Sequence, residues 1–246
     1  MSSNPRALVF AHEPDGPASQ VEVRLRQRGY EVDTHFVTLD YDQPDAAEPF
    51  PDIAGYDMLV VMGSVRSLTR KDEIGSWIHR ELELVRQSHD SGTPVLGVCF
   101  GGQIIADAFG GRVEEMPSAA IGWFEIEAVE GSNPIGPGPW FEWHHDRFIP
   151  PAGVEVLAQN ANSVQLIRLG RTLGTQFHPE VDHDHMTGFL AMASDEYMAE
   201  NGLDHDAMIA DMLQHEQRNI EQCHALVDWF VDEVASSDFV PRPNAT

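Results

Sequence analysis

The first half of the chain alternates short apolar segments with segments of helical periodicity, and this alternation constrains the fold more than any other feature. The segment DMLVVMG at 57–63 is continuously apolar, as expected of a parallel strand covered on both faces. Such alternation predicts a doubly wound α/β sheet with its functional site at the carboxyl ends of the strands. The predicted elements are strands at 6–11, 31–38, 57–63 and 94–98 and helices at 18–30, 72–92 and 99–111.

The second half of the chain has a different pattern. After residue 185 the sequence becomes helical. We therefore predict the α/β class, with a flavodoxin-like, doubly wound, mostly parallel sheet, a β-rich second half and C-terminal helices. We expect a single domain over 1–246, with the main sheet at about 5–185 and a helical extension at about 186–236. Gly/Pro turns separate the predicted strands of this half, which are 112–116, 122–130, 139–145, 154–160, 163–169 and 171–178.

The charge of the chain argues against two classes of partner. Its 40 acidic and 15 basic residues give a formal net charge of −25. Such a surface repels nucleic-acid phosphates and anionic lipid headgroups, so we expect neither a nucleic-acid nor a membrane partner.

The N-terminal segment MSSNPRALVF lacks the features of a secretory leader, and no apolar run approaches the roughly 20 residues of a membrane helix. These observations favour a cytoplasmic protein.

The segment PVLGVCFGGQ places a cysteine at a strand-to-helix turn. A buried strand leads directly to Cys99, and Gly101–Gly102 lets the chain reverse into a helix. The helix dipole and the free N–H groups at that position would stabilise a thiolate, which indicates a nucleophile. The alternative is a buried core cysteine with glycines that only close the turn. Cys223 lies in a helical segment and is expected to be a small buried hydrophobe, with no disulfide to Cys99.

The segment GTQFHPEVD supplies a base and a group to orient it. On extended backbone, residues i and i+2 project to the same side, so His178 and Glu180 can meet. A nucleophilic thiol needs a base, and the base needs a partner that fixes its tautomer. Cys99, His178 and Glu180 are therefore the predicted catalytic triad. The alternative is a solvated histidine and glutamate at the end of a strand.

These motifs resemble those of the class I, or triad, glutamine amidotransferases. The resemblance covers about residues 5–185. A subset of the motifs resembles the amidotransferase domain of GMP synthase, namely Gly122–Trp123 and the segment WHHD at 143–146. The motifs shared with the wider class are GVCFGGQ at 97–103, FHPE at 177–180 and VVMG at 60–63.

The resemblance implies that the cysteine attacks the side-chain amide of glutamine, releases ammonia and forms a γ-glutamyl thioester that water hydrolyses. It also implies a set of residues for the oxyanion and the substrate. The chain departs from the family pattern in having Gly63-Ser64-Val65 where Gly-Gly-Pro is common, and His145 where the subgroup often has glycine. The implied oxyanion and substrate-binding residues are Gly63, Ser64, Phe100, Gln103, His144 and Asp146.

No cofactor or metal is expected. The histidine-rich segments at 143–146 and 178–185 contain no Cys or His pairs with the spacing of a structural zinc site. The glycine-rich segment 131–139 lacks the GK[ST] ending of a phosphate-binding loop and is predicted to be a turn.

Three functions remain open at this point. The first is a glutamine amidotransferase or glutaminase that makes ammonia for a separate synthase. The second is a stand-alone hydrolase or peptidase of γ-glutamyl amides. The third is a catalytically silent regulatory protein. An intact triad argues against the third, and we favour the first, with its acceptor unassigned.

Overall fold

The computed structural model describes residues 4–129, 134–136 and 138–236. The ends of the predicted domain, the last residue of the predicted strand 122–130 and part of the predicted turn at 131–139 lie outside these ranges. The strands are β1 (Arg6–Ala11), β2 (Glu31–Phe36), β3 (Met58–Val61), β4 (Val95–Val98), β5 (Arg112–Glu125), β6 (Glu127–Ala128), β7 (Pro139–Ile149), β8 (Glu155–Gln159), β9 (Val164–Leu169) and β10 (Thr172–Thr175). The helices are α1 (Ser19–Gln27), α2 (Ile78–Asp90), α3 (Phe100–Ala108), α4 (His183–Met192), α5 (Asp195–Glu200) and α6 (His205–Trp229), and a π-helical turn follows α6 at Phe230–Val234.

The central sheet has eight strands in the order β2-β1-β3-β4-β10-β9-β8-β6. The first five strands in this order are parallel and the remaining three are antiparallel. This arrangement confirms the predicted α/β class with a mostly parallel sheet. The pairing of β4 with β10 sets Val98 beside Thr175, so the chain leaves both strands at the same edge of the sheet. The segments that follow these two strands therefore meet.

Helices cover both faces of the sheet, because successive strand residues point to opposite sides. Val9 and Val60 belong to one buried cluster, which also contains side chains of α1 and α6. Phe10 and Val61, the next residue along each strand, belong to the other cluster with side chains of α2 and α3. Every residue of β3 and β4 is buried, which agrees with the continuously apolar sequences of these two strands.

Strands β5 and β7 leave the central sheet and form a separate antiparallel ribbon. The sequence predicted two strands at 112–116 and 122–130, but β5 runs without a break from Arg112 to Glu125. The pairing register shifts between Glu115 and Ala120, and this irregular stretch accommodates Pro117, which cannot donate to a ladder.

The predicted helix at 72–92 is wrong at its N-terminal end, because 72–77 forms turns and α2 begins at Ile78. Ile74 and Trp77 are buried in these turns, and Trp77 Nε1 donates a hydrogen bond of 2.7 Å to Pro44 O. Tertiary burial therefore overrides the helical periodicity of this segment. The predicted strand at 171–178 likewise ends at Thr175.

The helical extension begins slightly earlier than predicted, because α4 starts at His183. The carboxylate of Asp182 caps α4 by accepting a hydrogen bond of 2.9 Å from His185 N. Farther along, Asp228 on α6 binds Arg24 of α1, with N···O distances of 2.6 and 2.8 Å. Among the described residues, no helix combines the length and apolar character needed to span a bilayer.

Candidate active site

Cys99 occupies a strained turn between β4 and α3. Its φ of 52° and ψ of −103° lie in a region that residues with a side chain rarely adopt, and backbone strain of this kind clusters at functional sites. A bond of 2.9 Å from Cys99 N to Thr175 O holds the turn against β10. Cys99 forms no disulfide, so its thiol is free, and the residue is 4% exposed.

Two glycines allow α3 to start so close to the sheet. A Cβ atom on Gly101 would lie 2.0 Å from the carbonyl oxygen of Val61, and one on Gly102 would lie 2.2 Å from that of Thr175. Both clashes are with backbone atoms that cannot move aside. The glycine pair thus sets the position of the helix N-terminus behind Cys99.

His178 and Glu180 form a buried pair on the segment that follows β10. His178 Nδ1 lies 2.8 Å from Glu180 Oε1, and His178 N donates a bond of 2.8 Å to Phe141 O. Burial disfavours the imidazolium, but the neighbouring Cys99 and Glu180 outweigh it and hold the pKa of His178 well above its ordinary value. Burial also opposes ionisation of Glu180, yet the adjacent His178 keeps the pKa of that carboxyl below its usual range.

The remaining ring nitrogen of His178 is available for chemistry. Cys99 acts on the His178 ring through its charge and a side-chain hydrogen bond, and apart from Cys99 His178 Nε2 has no partner among the described residues. The amide of Gln176 lies 3.8 Å from Cys99 Sγ and also accepts a bond from Phe148 N. The three predicted triad residues are therefore brought together at one edge of the sheet.

A residue of α6, which the sequence did not suggest, holds the segment that carries Glu180. The Asn219 amide donates hydrogen bonds of 3.1 Å to Pro179 O and 2.7 Å to Val181 O. Asn219 is fully buried, and Gln20 N adds a bond of 3.3 Å to Glu180 O. The residues before and after Glu180 are thereby held by α6, and the backbone of Glu180 itself is held by α1.

The loop after β3 lies against the same histidine. A Cβ atom on Gly63 would lie 3.1 Å from His178 Cε1. Gly63 O accepts from His12 Nδ1 at 3.0 Å, and His12 Nε2 lies 3.1 Å from the buried Glu81 carboxylate. Burial opposes protonation of His12, but Glu81 raises the pKa of the ring above its ordinary value. The next residue, Ser64, makes a different set of hydrogen bonds.

Ser64 Oγ donates to Glu13 Oε1 at 2.8 Å and accepts from Arg66 N at 3.0 Å. Burial raises the pKa of Glu13. Neither Glu13 nor the His12–Glu81 pair was suggested by the sequence, because nothing local distinguishes His12 and Glu13 from other polar residues after a strand, or Glu81 from other glutamates on a helix.

The other predicted substrate residues form a hydrogen-bonded group on β7 and α3. Gln103 Nε2 donates to Asp146 O at 3.2 Å, and His144 Nδ1 donates to the same oxygen at 2.9 Å. His144 Nε2 lies 2.8 Å from Glu142, while Ser67 donates to the Asp146 carboxylate. Both ring nitrogens of His144 are used within the protein.

These residues surround one cavity of about 950 Å³. Helices α4 and α5 contribute Phe189, Met192 and Tyr197 to it. Within the described part of the chain, no group of three or more His, Cys, Asp or Glu residues is arranged to hold a metal ion. All nine predicted site residues line the cavity, namely Gly63, Ser64, Cys99, Phe100, Gln103, His144, Asp146, His178 and Glu180.

The sequence has relatives of known name. It is 35% identical to the GMP synthase (glutamine-hydrolyzing) of Aeropyrum pernix over 114 residues, which are 44% of this chain and 22% of that enzyme. The match thus spans about a fifth of that enzyme's length. The glutamine amidotransferase-like protein YfeJ of Salmonella typhimurium is 26% identical over 244 residues, or 93% of this chain and 97% of YfeJ.

The fold also has solved counterparts. A glutamine amidotransferase of Thermotoga maritima superposes with a TM-score of 0.81 at 20% identity, covering 94% of this chain and all of that one, which establishes likeness of fold. Residues 18–192 match the family described as glutamine amidotransferase class-I, which is more than half of the chain. The chain therefore belongs to the class-I glutamine amidotransferase family.

Proposed function

We propose that this protein hydrolyses the side-chain amide of glutamine through Cys99, His178 and Glu180 and releases ammonia for a separate acceptor enzyme. The observation that carries the proposal is a free thiol on a strained strand-to-helix turn, in the same cavity as a buried His–Glu pair. Family membership supports glutamine as the substrate. The names of the GMP synthases, which describe glutamine hydrolysis, support it further.

In the proposed reaction, the Cys99 thiolate attacks the amide carbon and forms a C–S bond. Charge builds on the carbonyl oxygen, where the N–H of Phe100 at the start of α3 and the Gly63–Ser64 loop would stabilise it. The C–N bond then breaks, and the nitrogen takes the proton of the His178 imidazolium and leaves as ammonia. A γ-glutamyl thioester remains on the enzyme.

In the second half of the reaction, water loses a proton to His178 and attacks the thioester, which releases glutamate and restores the thiol. Glu180 accepts a hydrogen bond from His178 Nδ1 and so keeps Nε2 directed at the reacting atoms. Gln103, His144 and Asp146 would shape the binding site for the γ-glutamyl group, since all three line the cavity.

The test is ammonia and glutamate release from L-glutamine by the purified protein and its Cys99→Ala variant. We expect at least about a thousandfold loss of kcat, the scale of removing a nucleophile that acts as a unit with its base. Cys223→Ala is the matched control, because Cys223 is also free and buried but lies on α6. Glutamine hydrolysis that survives Cys99→Ala would contradict the proposal.

A second candidate function is stand-alone hydrolysis of larger γ-glutamyl amides, without an acceptor enzyme. The cavity volume of about 950 Å³ favours it, because pockets of about 300–1,000 Å³ enclose drug-sized ligands and glutamine is much smaller. An amidotransferase should show weak glutaminase activity that rises with its acceptor enzyme. A stand-alone hydrolase should turn over a γ-glutamyl amide fully by itself.

A further inference from the structure

We propose that the wall of the cavity formed by α4 and α5 is a leaving-group subsite, which selects γ-glutamyl amides whose amine carries an apolar or aromatic group. This inference rests on the thioester mechanism proposed above and develops the second candidate function, because it specifies which γ-glutamyl amides the site accepts. It is argued from the position of His178, the composition of the wall and the way in which α5 is attached.

The position of His178 fixes the side on which the amine leaves. The leaving nitrogen must receive its proton from His178, so the substituent on that nitrogen lies next to the imidazole. The ring of Phe189 packs edge-on against His178, with centroids 5.5 Å apart and an interplanar angle of 78°. A group attached to the leaving nitrogen would therefore lie close to Phe189, on the α4 side of the cavity.

The composition of this wall suits an apolar group. Phe189, Met192 and Ala193 line the cavity here, and none of the lining residues of α4, α5 and the link between them is a carboxylate, lysine or arginine. Met192 is 44% exposed, which leaves its side chain free to be covered by a ligand. Burial lowers the pKa of His185, the histidine of this wall, and so favours its neutral form.

The charged residues of the cavity lie on other elements. Glu13 and Asp15 follow β1, Arg66 and Arg70 follow β3, and Glu115 lies on β5. Of these, Asp15 comes nearest to α4, with its Cβ 3.6 Å from the position of a Cβ on Gly188. The loops after β1 and β3 offer both signs of charge and suit the α-amino and α-carboxylate groups of the γ-glutamyl moiety. The two ends of the substrate would thus meet different chemistry, charged at the glutamyl end and apolar at the amine end.

The wall is held in place by Tyr197 of α5. Its hydroxyl accepts a hydrogen bond of 2.8 Å from Trp143 Nε1 and lies 2.8 Å from His145 Nε2. The rings of Trp143 and Tyr197 are nearly parallel, at 7° with centroids 6.3 Å apart. These contacts attach α5 to β7, so the subsite is formed before a ligand arrives and costs little ordering.

The experiment compares γ-glutamylbenzylamide with γ-glutamylmethylamide and L-glutamine, followed by glutamate release. Benzylamine is less basic than methylamine and leaves more readily, so the fall of the preference in the wall variants, rather than the preference alone, reports the contact with the aromatic ring. We expect kcat/KM of the native protein to be at least about tenfold higher for the benzylamide, the scale of a buried apolar group in a specificity pocket. In Met192→Ala and Phe189→Ala this preference should fall several-fold.

Leu213→Ala is the matched control, because Leu213 is a 57% exposed apolar residue on α6 that does not line the cavity. Its preference should equal that of the native protein. Tyr197→Phe, which removes only the hydroxyl, should weaken the preference by loosening α5. If Phe189→Ala does not fold, the half-exposed Met192 still provides the test.

Two results would overturn the inference while leaving the proposed function intact. One is Cys99-dependent hydrolysis of all three compounds with no preference for the benzylamide. The other is an equal loss on all three compounds in the Met192 and Phe189 variants. Hydrolysis that survives Cys99→Ala, or no hydrolysis of any compound, would instead reject the proposed function and the inference with it.

Discussion

Replacing Asn219 with alanine should reduce catalysis from a position that touches neither the substrate cavity nor the triad side chains. Asn219 is fully buried on α6 and donates to Pro179 O at 3.1 Å and Val181 O at 2.7 Å. These carbonyls flank Glu180. Without the amide, both carbonyls lose a partner and the segment that orients His178 can shift.

The size of the effect follows from these two contacts. Each carbonyl left unsatisfied in the interior costs about 1–3 kcal/mol, so we expect the free energy of unfolding to fall by about 2–6 kcal/mol. A displacement of about 1 Å at a reacting group costs up to about a hundredfold in rate. We therefore expect kcat to fall about 10- to 100-fold with little change in KM, since Asn219 does not line the cavity.

The assay pairs urea unfolding with glutamine hydrolysis under conditions in which each variant is folded by circular dichroism. Asn219→Leu keeps a similar side-chain volume but has no donor, so its kcat should be as impaired as that of Asn219→Ala. Leu226→Ala is the matched control, because Leu226 is equally buried on α6 and its truncation costs about 2–5 kcal/mol without touching this segment. Its kcat should stay near the native value.

The reasoning is refuted if Asn219→Ala retains kcat within about twofold of the native value while losing stability, or if Leu226→Ala loses as much kcat. Either result would mean that the two hydrogen bonds contribute to folding alone.

Three further predictions concern Gly63, Gly101 and His178, which lie around Cys99. Gly63→Ala places a methyl group 3.1 Å from His178 Cε1, so steady-state kinetics should show a lower kcat, whereas native kinetics would contradict this packing. Gly101→Ala puts a Cβ 2.0 Å from Val61 O and should yield no folded protein by circular dichroism; a cooperative melt near the native Tm would count against the structure. Because the pKa of His178 in the folded protein lies above its ordinary value of about 6.5, protonation of His178 stabilises the folded state below about pH 6.5. This contribution to the free energy of unfolding is lost as the pH rises through the pKa of His178 in the folded protein. Although burial opposes the charge, Cys99 raises that pKa, so Cys99→Ala should lower it in an NMR titration, and an unchanged value would exclude the coupling.

Much of the fold was predictable because its signals are local. The uniform apolar character of the segments at β3 and β4 reflects burial on both faces and predicted parallel strands without knowledge of their neighbours. The turn at Cys99 was predictable for a similar reason, since a strand, two glycines and a helix lie within a few consecutive residues.

The supports of the site were not predictable, because they come from contacts between distant segments. Nothing local distinguishes Asn219 from another polar residue on a helix, or Tyr197 from an exposed aromatic. Asn219 matters because α6 packs beside the segment at 179–181, and Tyr197 because α5 lies beside β7. The late start of α2 has the same origin in the burial of Trp77.

The sequence by itself determined the alternation of strands and helices and the residue types that could form a thiol, a base and an orienting carboxylate. Only the tertiary structure decided that these groups meet. Cys99 and His178 lie far apart in the chain, but β4 and β10 are parallel neighbours with Val98 beside Thr175. Parallel pairing brings the carboxyl ends of both strands to one edge, and that pairing depends on the packing of the whole sheet, which no local pattern encodes.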